Sequence, residues 1–226
     1  MTMRKALRDN SLSLFFGVIL ALTLVAQALT GVADYNRTVA RSDLPTMSIG
    51  EYVTSSQFAV DVAENWQSEY LQFLLYILLT VWLIQRGSPE SKKADERGGE
   101  DEKKQKVGRH ADPESPRWAK VGGWRTALYS NSLGLVMGLF FLGSWAAQLV
   151  AGTSAYNSER LQDRQPPISI LDYGHTPDFW NRTFQNWQSE FLAVGSMVVL
   201  SIYLRQRGSP ESKPVGSPHS ATGVEG

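Results

Sequence analysis

Four stretches of this chain are nearly free of charged side chains and too apolar to rest in water: about Leu12 to Gly31, Trp66 to Ile84, Ser132 to Gly152, and Trp187 to Leu204. Each comes close to the ~20 residues with which a helix crosses the ~30 Å hydrocarbon core of a bilayer. No water is present there to satisfy backbone N–H and C=O groups, so a spanning segment must pair them within a helix or a closed barrel. Apolar runs of this length imply helices. The sequence therefore predicts an all-α fold class, a polytopic membrane protein with four transmembrane helices, with the lipid bilayer of the cell membrane as its first partner.

Charge distribution gives the orientation. Counting Lys and Arg by segment places three before the first span, eleven between the second and third, and three after the fourth, against five in the two remaining loops. Basic residues accumulate on the cytoplasmic side, so both termini and the central linker are expected to be cytoplasmic. A cleaved signal peptide is the rival explanation of the first span, since Arg4, Lys5 and Arg8 precede it and Ala26-Gln27-Ala28 resembles a cleavage site. The third span repeats the Ala-Gln pair at Ala147-Gln148, where no signal peptide can lie, and this favours a retained helix.

The likeness between spans extends to half the molecule. Shifted by 121 residues, positions 10–92 align with 131–213 without a gap and about 31 of 83 positions are identical. Such self-similarity marks a duplicated unit. Each unit holds two spans, so the copies enter the membrane in the same sense, as two parallel tandem hairpin repeats related by a pseudo-twofold axis along the membrane normal. The expected organisation is a cytoplasmic N-terminus (1–9), a first repeat (10–92), a disordered charged linker (93–130), a second repeat (131–213) and a disordered cytoplasmic tail (214–226). The linker composition, with Glu100-Asp101-Glu102-Lys103-Lys104 and few large apolar side chains, cannot bury a core.

Three matching blocks carry a resemblance to a known family. They are Asn-Ser-Leu at Asn10 and Asn131, Asn-Trp-Gln-Ser-Glu at Asn65 and Asn186, and Arg-Gly-Ser-Pro-Glu-Ser-Lys at Arg86 and Arg207. Together they resemble an uncharacterised bacterial integral-membrane family known only as a domain of unknown function. The resemblance covers both repeats and implies membrane location. It implies no activity, so no catalytic residue is carried over.

Polar residues inside the spans are the candidate functional groups. On the second span, Asn65, Ser68, Glu69 and Gln72 recur at helical spacing, and Asn186, Ser189 and Glu190 match them on the fourth. Counting helical rise of ~1.5 Å per residue back from Arg86 puts Glu69 near the outer boundary, level with Gln27. Gln148 and Glu190 follow by the repeat. This Gln/Glu cluster supports two readings. In one it is an outward-facing polar cavity for a cation, proton or polar solute. In the other, Glu64 or Asn65 starts the helix, Trp66 and Trp187 anchor it among headgroups, and the glutamines join helices. Arg86 and Arg207 would hold the inner boundary.

Gly17, Gly134 and Gly138 permit close backbone approach and suggest that the first and third spans meet at the axis. In the outer loops, Ser48 and Glu51 are spaced as a capping box, with Ser169 and Asp172 a looser version. Asn36-Arg37-Thr38 and Asn181-Arg182-Thr183 match the glycosylation pattern at non-equivalent positions and receive no role.

The chain has no cysteine, three scattered histidines, and no nucleophile, metal cluster or phosphate-binding glycine loop. No cofactor and no enzymatic activity are expected. Lys plus Arg balances Asp plus Glu, which argues against nucleic acid as a partner. The leading expectation is a small membrane scaffold or envelope protein whose partners are a second copy or another membrane protein. The alternative is a small transporter or channel using the outer Gln/Glu cluster.

Overall fold

A computed structural model describes residues 3–41 and 45–226, and every regular element among them is helical. The first two residues of the expected N-terminal segment and residues 42–44 of the first outer loop lie outside it. The chain divides into two compact units, Met1–Val62 with Gln148–Ile170, and Ala63–Ala147 with Leu171–Gly226. Two long helices, α4 (Ser56–Leu79) and α7 (Ser132–Gln162), pass from one unit into the other.

The first unit is built on α1 (Met3–Asp9), α2 (Ser11–Ala40) and the short α3 (Ile49–Val53). Asn10 separates α1 from α2, and its Nδ2 donates to Ala6 O at 2.8 Å. The expected capping box opens α3: Glu51 N donates to Ser48 Oγ at 3.3 Å, and Ser48 N donates to Glu51 Oε2 at 2.7 Å. These bonds also hold the Glu51 carboxyl below its ordinary range. The loop between α2 and α3 is tied back by one side chain. Asn36 Nδ2 donates to Met47 O at 2.8 Å and Asn36 Oδ1 accepts from Met47 N at 2.7 Å. The same clip recurs 121 residues later, where Asn157 binds both polar backbone groups of Ile168 at 2.9 and 2.8 Å. A primary amide is the smallest side chain that offers a donor and an acceptor side by side, which explains why both copies keep Asn. Asn36→Ala leaves two half-buried backbone groups unpaired and should cost about 1–3 kcal/mol. Thermal unfolding of the detergent-solubilised protein checks this, and an unchanged midpoint would show that the clip is dispensable.

The second unit contains α5 (Arg117–Lys120), α6 (Gly123–Ser130), most of α4, the first half of α7, nearly all of α8 (Ile170–Tyr173) and α9 (Pro177–Tyr203). Both α4 and α9 begin well before the spans read from sequence. Ser55 Oγ accepts from Phe58 N at 3.3 Å at the start of α4, and Thr176 Oγ1 caps α9 through Phe179 N at 3.3 Å, with Pro177 in the first turn. The Asn-Trp-Gln-Ser-Glu blocks are therefore helix interiors and not helix starts. Further along, α4 ends at Leu79, and residues 80–84 leave the helix before Arg86. Helical rise therefore cannot be counted unbroken from Arg86 to Glu69, and Glu69 and Glu190 lie near the midpoints of α4 and α9.

Two helices, α2 and α7, are both long and apolar enough to cross a membrane. Length alone would admit α4 and α9, but the polar residues from Asn65 to Gln72, and their counterparts on α9, dilute the apolar run. The glycines read as packing positions have different surroundings. Leu78 Cδ2 stands 3.5 Å from a Cβ position at Gly134 and Leu74 lies 3.8 Å from one at Gly138, whereas Gly17 has nothing within 4 Å. The small residues of α7 thus admit leucines of α4, because a leucine needs the space a missing side chain leaves.

Residues 93–130, expected as a disordered linker, carry 3-10 turns at Ala94–Glu96 and Gly108–His110 besides α5 and α6. Local contacts hold the end of this stretch. The Trp118 and Trp124 rings meet edge to face at 6.3 Å, and Thr126 Oγ1 donates to Trp118 O at 2.6 Å.

Candidate functional site

The polar stripe of α4 and α9 divides between packing and exposure. Gln67, absent from the expected cluster, is fully buried, and its Oε1 accepts from Trp187 Nε1 at 2.8 Å. Its Nε2 has no hydrogen-bond partner among the described residues. Trp187, expected as a headgroup anchor, joins an aromatic cluster around Trp145, which lies 6.0 Å from Trp187, 6.1 Å from Phe179 and 6.1 Å from Trp180. An indole N–H drawn out of water needs an acceptor, and for the half-buried Trp187 Gln67 supplies it. Trp66 remains exposed, as do Arg86 and Arg207.

Ser68 is buried with its Oγ on Asn65 O at 2.8 Å, and the exposed Ser189 makes the same bond to Asn186 O at 2.8 Å. These are back-bonds within a helix and need no ligand to explain them. Asn186 Nδ2 donates to Arg182 O at 2.9 Å, and Asn65 is exposed. The charge of Glu69 reaches Glu190. In the first unit Gln148 is fully buried and Gln27 half-buried.

An ionic network that the sequence reading missed lies between α8, α9 and α4. Arg182 Nη1 pairs with Glu64 Oε2 at 3.1 Å, and Arg182 Nε with Asp178 Oδ2 at 3.3 Å. Tyr173 OH donates to the same Asp178 oxygen at 2.9 Å. Burial and that bond push the Tyr173 hydroxyl well above its ordinary value. Arg182 had been counted only as a loop charge. The available signal was the offset itself, because Asp61 stands 121 residues before Arg182, a reversal of charge between aligned positions.

The twin Gln-Arg-Gly-Ser-Pro-Glu-Ser-Lys tails fold alike. Gln85 N donates to Ser91 Oγ and Gln206 N to Ser212 Oγ, both at 2.9 Å. Ser88 N reaches Gln85 O at 3.1 Å and Ser209 N reaches Gln206 O at 3.2 Å. Gly87 and Gly208 take φ of 92° and 80°, in the left-handed region that side chains other than glycine's disfavour. Glycine and both serines are thereby required by the turn, which accounts for their recurrence in both copies.

The lysines that close the tails clasp the chain that follows. Lys92 Nζ bonds Gly98 O at 3.0 Å and pairs with Glu100 at 3.2 Å. Lys213, 1% exposed, bonds the carbonyls of Gly87 at 2.6 Å, His219 at 2.9 Å, Ala221 at 3.2 Å and Pro218 at 3.4 Å. Burial, and then the charge of Arg205, pull the Lys213 ammonium below its ordinary range. The C-terminal tail is further joined to the first turn by Gly87 N to Thr222 Oγ1 at 2.9 Å and Gly223 N to Ser88 O at 3.0 Å.

This docking brings Glu90 and Glu211, which align at the 121-residue offset, within hydrogen-bonding reach of each other. Burial comes first among the causes, then the bond to Glu211 and the charges of Glu211 and Glu225, and together they push Glu90 up to about 7. Beside the pair is an apolar cavity of about 430 Å³, with Glu90 at its rim and Leu75, Leu79, Phe191 and Val198 in its wall. The Tyr76 hydroxyl and Gln72 Oε1, both on residues lining it, have no hydrogen-bond partner among the described residues. Chemically the pair can hold and release one proton near neutrality. Among the described residues, no group of three His, Cys, Asp or Glu side chains is arranged to hold a metal ion.

Comparison with known proteins gives a family and nothing nearer. The family described as "Domain of unknown function (DUF6766)" matches residues 3–224. No curated protein and no solved structure matches the chain.

Proposed function

The chain belongs to the DUF6766 family, whose function is unknown, and on that premise we propose that it is a non-enzymatic scaffold of the cell membrane that spans the bilayer four times. Its task is to associate, within the membrane, with a second copy or another membrane protein. The carrying observation is α2. Leu12, Phe15, Phe16, Val18, Leu22 and Val25 are each more than half exposed, and only Ala28 and Val39 of this helix are buried. A helix packed into its own chain hides one face, as α2 does from Leu24 onward, whereas its residues 11–23 are exposed on every side. Lipid covers such a surface, and a neighbouring helix gains close approach at Gly17, where nothing stands within 4 Å. The polar residues of α4 and α9 then serve as internal joints. Reporter fusions after residues 9, 45, 105, 165 and 226 test the four spans, with cytoplasmic signal expected at the first, third and fifth. Cysteine at position 17 should crosslink to a partner in native membranes. Release of the chain by alkaline carbonate would overturn the reading.

A second reading has one observation in its favour: the charge of Glu69 acts on Glu190, and both lie near mid-helix, where carboxylates are costly in lipid. It makes the pair a step for a proton or cation. Proteoliposome flux that is lost in the Glu69→Gln, Glu190→Gln double variant with unchanged thermal stability would favour it. The scaffold reading expects no flux in either protein.

A further inference from the structure

A second cavity of the same unit, of about 340 Å³, adjoins the apolar one at Glu90 and shares Gln72, Tyr76, Glu90 and Val194 with it. Its described lining falls into four pairs of positions that align at the 121-residue offset. Glu90 with Glu211 is acidic in both copies, and Phe73 with Val194 is apolar in both. The other two pairs differ between the copies. Gln72 and Tyr76 of α4 stand where α9 carries Ala193 and Met197, so the repeated unit builds this helix without polar side chains at either position. Gln72 and Tyr76 are one helical turn apart and share a face. Gln72 Oε1 and the Tyr76 hydroxyl are shut off from solvent and have no hydrogen-bond partner among the described residues. Leaving a buried polar atom unpaired is costly, and nothing in the packing of the other copy calls for these two. A ligand that supplies their partners accounts for them.

The walls define the chemistry of that ligand. An amide oxygen only accepts hydrogen bonds, a phenol accepts as well as donates, and the Glu90 and Glu211 carboxyls supply negative charge. No Lys, Arg or His is among the described residues lining either cavity. The polar groups therefore ask for N–H donors and a positive charge. Glu211 is exposed, which opens this end to solvent, while Leu75, Leu79, Phe191 and Val198 wall the adjoining cavity with apolar surface. Both volumes lie within the roughly 300–1,000 Å³ of small-molecule sites. We propose that the joined cavities bind a small amphiphilic primary amine, its ammonium group held among Glu90, Glu211, Gln72 and Tyr76 and its apolar body between α4 and α9. The three N–H donors of an ammonium match the amide oxygen, the phenol oxygen and the carboxylate pair. An anion would meet the two glutamates as like charges. A metal ion would leave the apolar walls unused, and no group of three acidic or imidazole ligands is available to it among the described residues.

This inference does not depend on the scaffold reading, because it concerns binding alone and is tested in detergent. Isothermal titration of the full-length protein with 2-phenylethylamine at neutral pH, against a blank of protein-free micelles, should show one saturable site. The alcohol 2-phenylethanol keeps the apolar body without the charge and should bind at least about tenfold more weakly. Gln72→Met and Tyr76→Phe remove the polar atoms and keep most of the volume. Each should weaken amine binding about tenfold, the share of a hydrogen bond to a charged group. Neither should melt lower than the parent, because in the empty protein neither atom has a partner to lose. The double variant Glu90→Gln, Glu211→Gln removes the counter-charge and should weaken the amine at least about tenfold while leaving the alcohol unchanged. Melting curves run beside each titration establish folding; if the double glutamate variant is unfolded, Gln72→Met decides. No saturable site in the folded parent, equal affinity for amine and alcohol, or unchanged amine affinity in Gln72→Met would overturn the proposal. A lowered melting point in both Gln72→Met and Tyr76→Phe would show that the two side chains serve the fold, and would overturn it as well.

Discussion

Arg182→Met is expected to be the most damaging single substitution in the second unit, costing about 2–4 kcal/mol of stability. The reason is what it leaves behind. The Glu64 and Asp178 side chains are only 16% and 34% exposed and would lose their shared cation, and Tyr173 would still donate to Asp178. Removing one partner of a poorly hydrated ion pair costs more than removing both. The double variant Arg182→Met, Glu64→Gln should therefore recover a substantial part of the loss in a thermal-unfolding cycle. Arg182→Lys keeps the charge but cannot address two carboxylates through separate nitrogens, and should fall between. An Arg182→Met protein as stable as the parent would mean that the network only decorates the surface.

The second large effect is a pH dependence of tail docking. Glu90 stands at about 7 when the tails are docked, against 4.5 ordinarily. Between these values the docked state holds a proton that the released chain does not. Docking is accordingly strongest below the ordinary value and is lost as pH rises through about 7. Because Glu90 is partly exposed, water screens the interaction, and the contribution is discounted to about 1 kcal/mol, roughly a fivefold change in opening. Amide exchange at Gly87 and Gly223, corrected for its intrinsic pH dependence, should show accelerated opening between pH 6 and 8. Glu90→Gln supplies a permanent donor to Glu211 and should flatten the profile with the tails kept docked. An identical profile in that variant would rule Glu90 out as the titrating group.

Sequence periodicity located the helical segments because apolar composition acts locally, through each residue's own transfer from water. The capping box of Ser48 and Glu51 was legible for the same reason: donor and acceptor are three residues apart. Boundaries were less legible. The apolar window of α4 hid both its early start, set by Ser55, and its end at Leu79, and this moved Glu69 from a helix end to the middle. The recurrence of Gln85 to Lys92 at Gln206 to Lys213 was visible as identity, but identity did not disclose that each serine closes a turn. Trp187 read as an anchor because an indole suits a headgroup region, and only the packing showed its N–H on Gln67.

What the sequence determined by itself is the all-helical class, the apolar character of α2 and α7, and the alignment of the two halves, all of which follow from local composition and spacing. What only the tertiary structure decided is which aligned residues become partners. Arg182 meets Glu64 across 118 positions, Lys213 reaches Gly87 across 126, and Glu90 faces Glu211 across 121. Such pairings depend on where folding brings distant segments together. No local pattern encodes that. The same holds for the four expected spans: hydropathy nominated α4 and α9, while folding turned part of their polar stripe into internal joints.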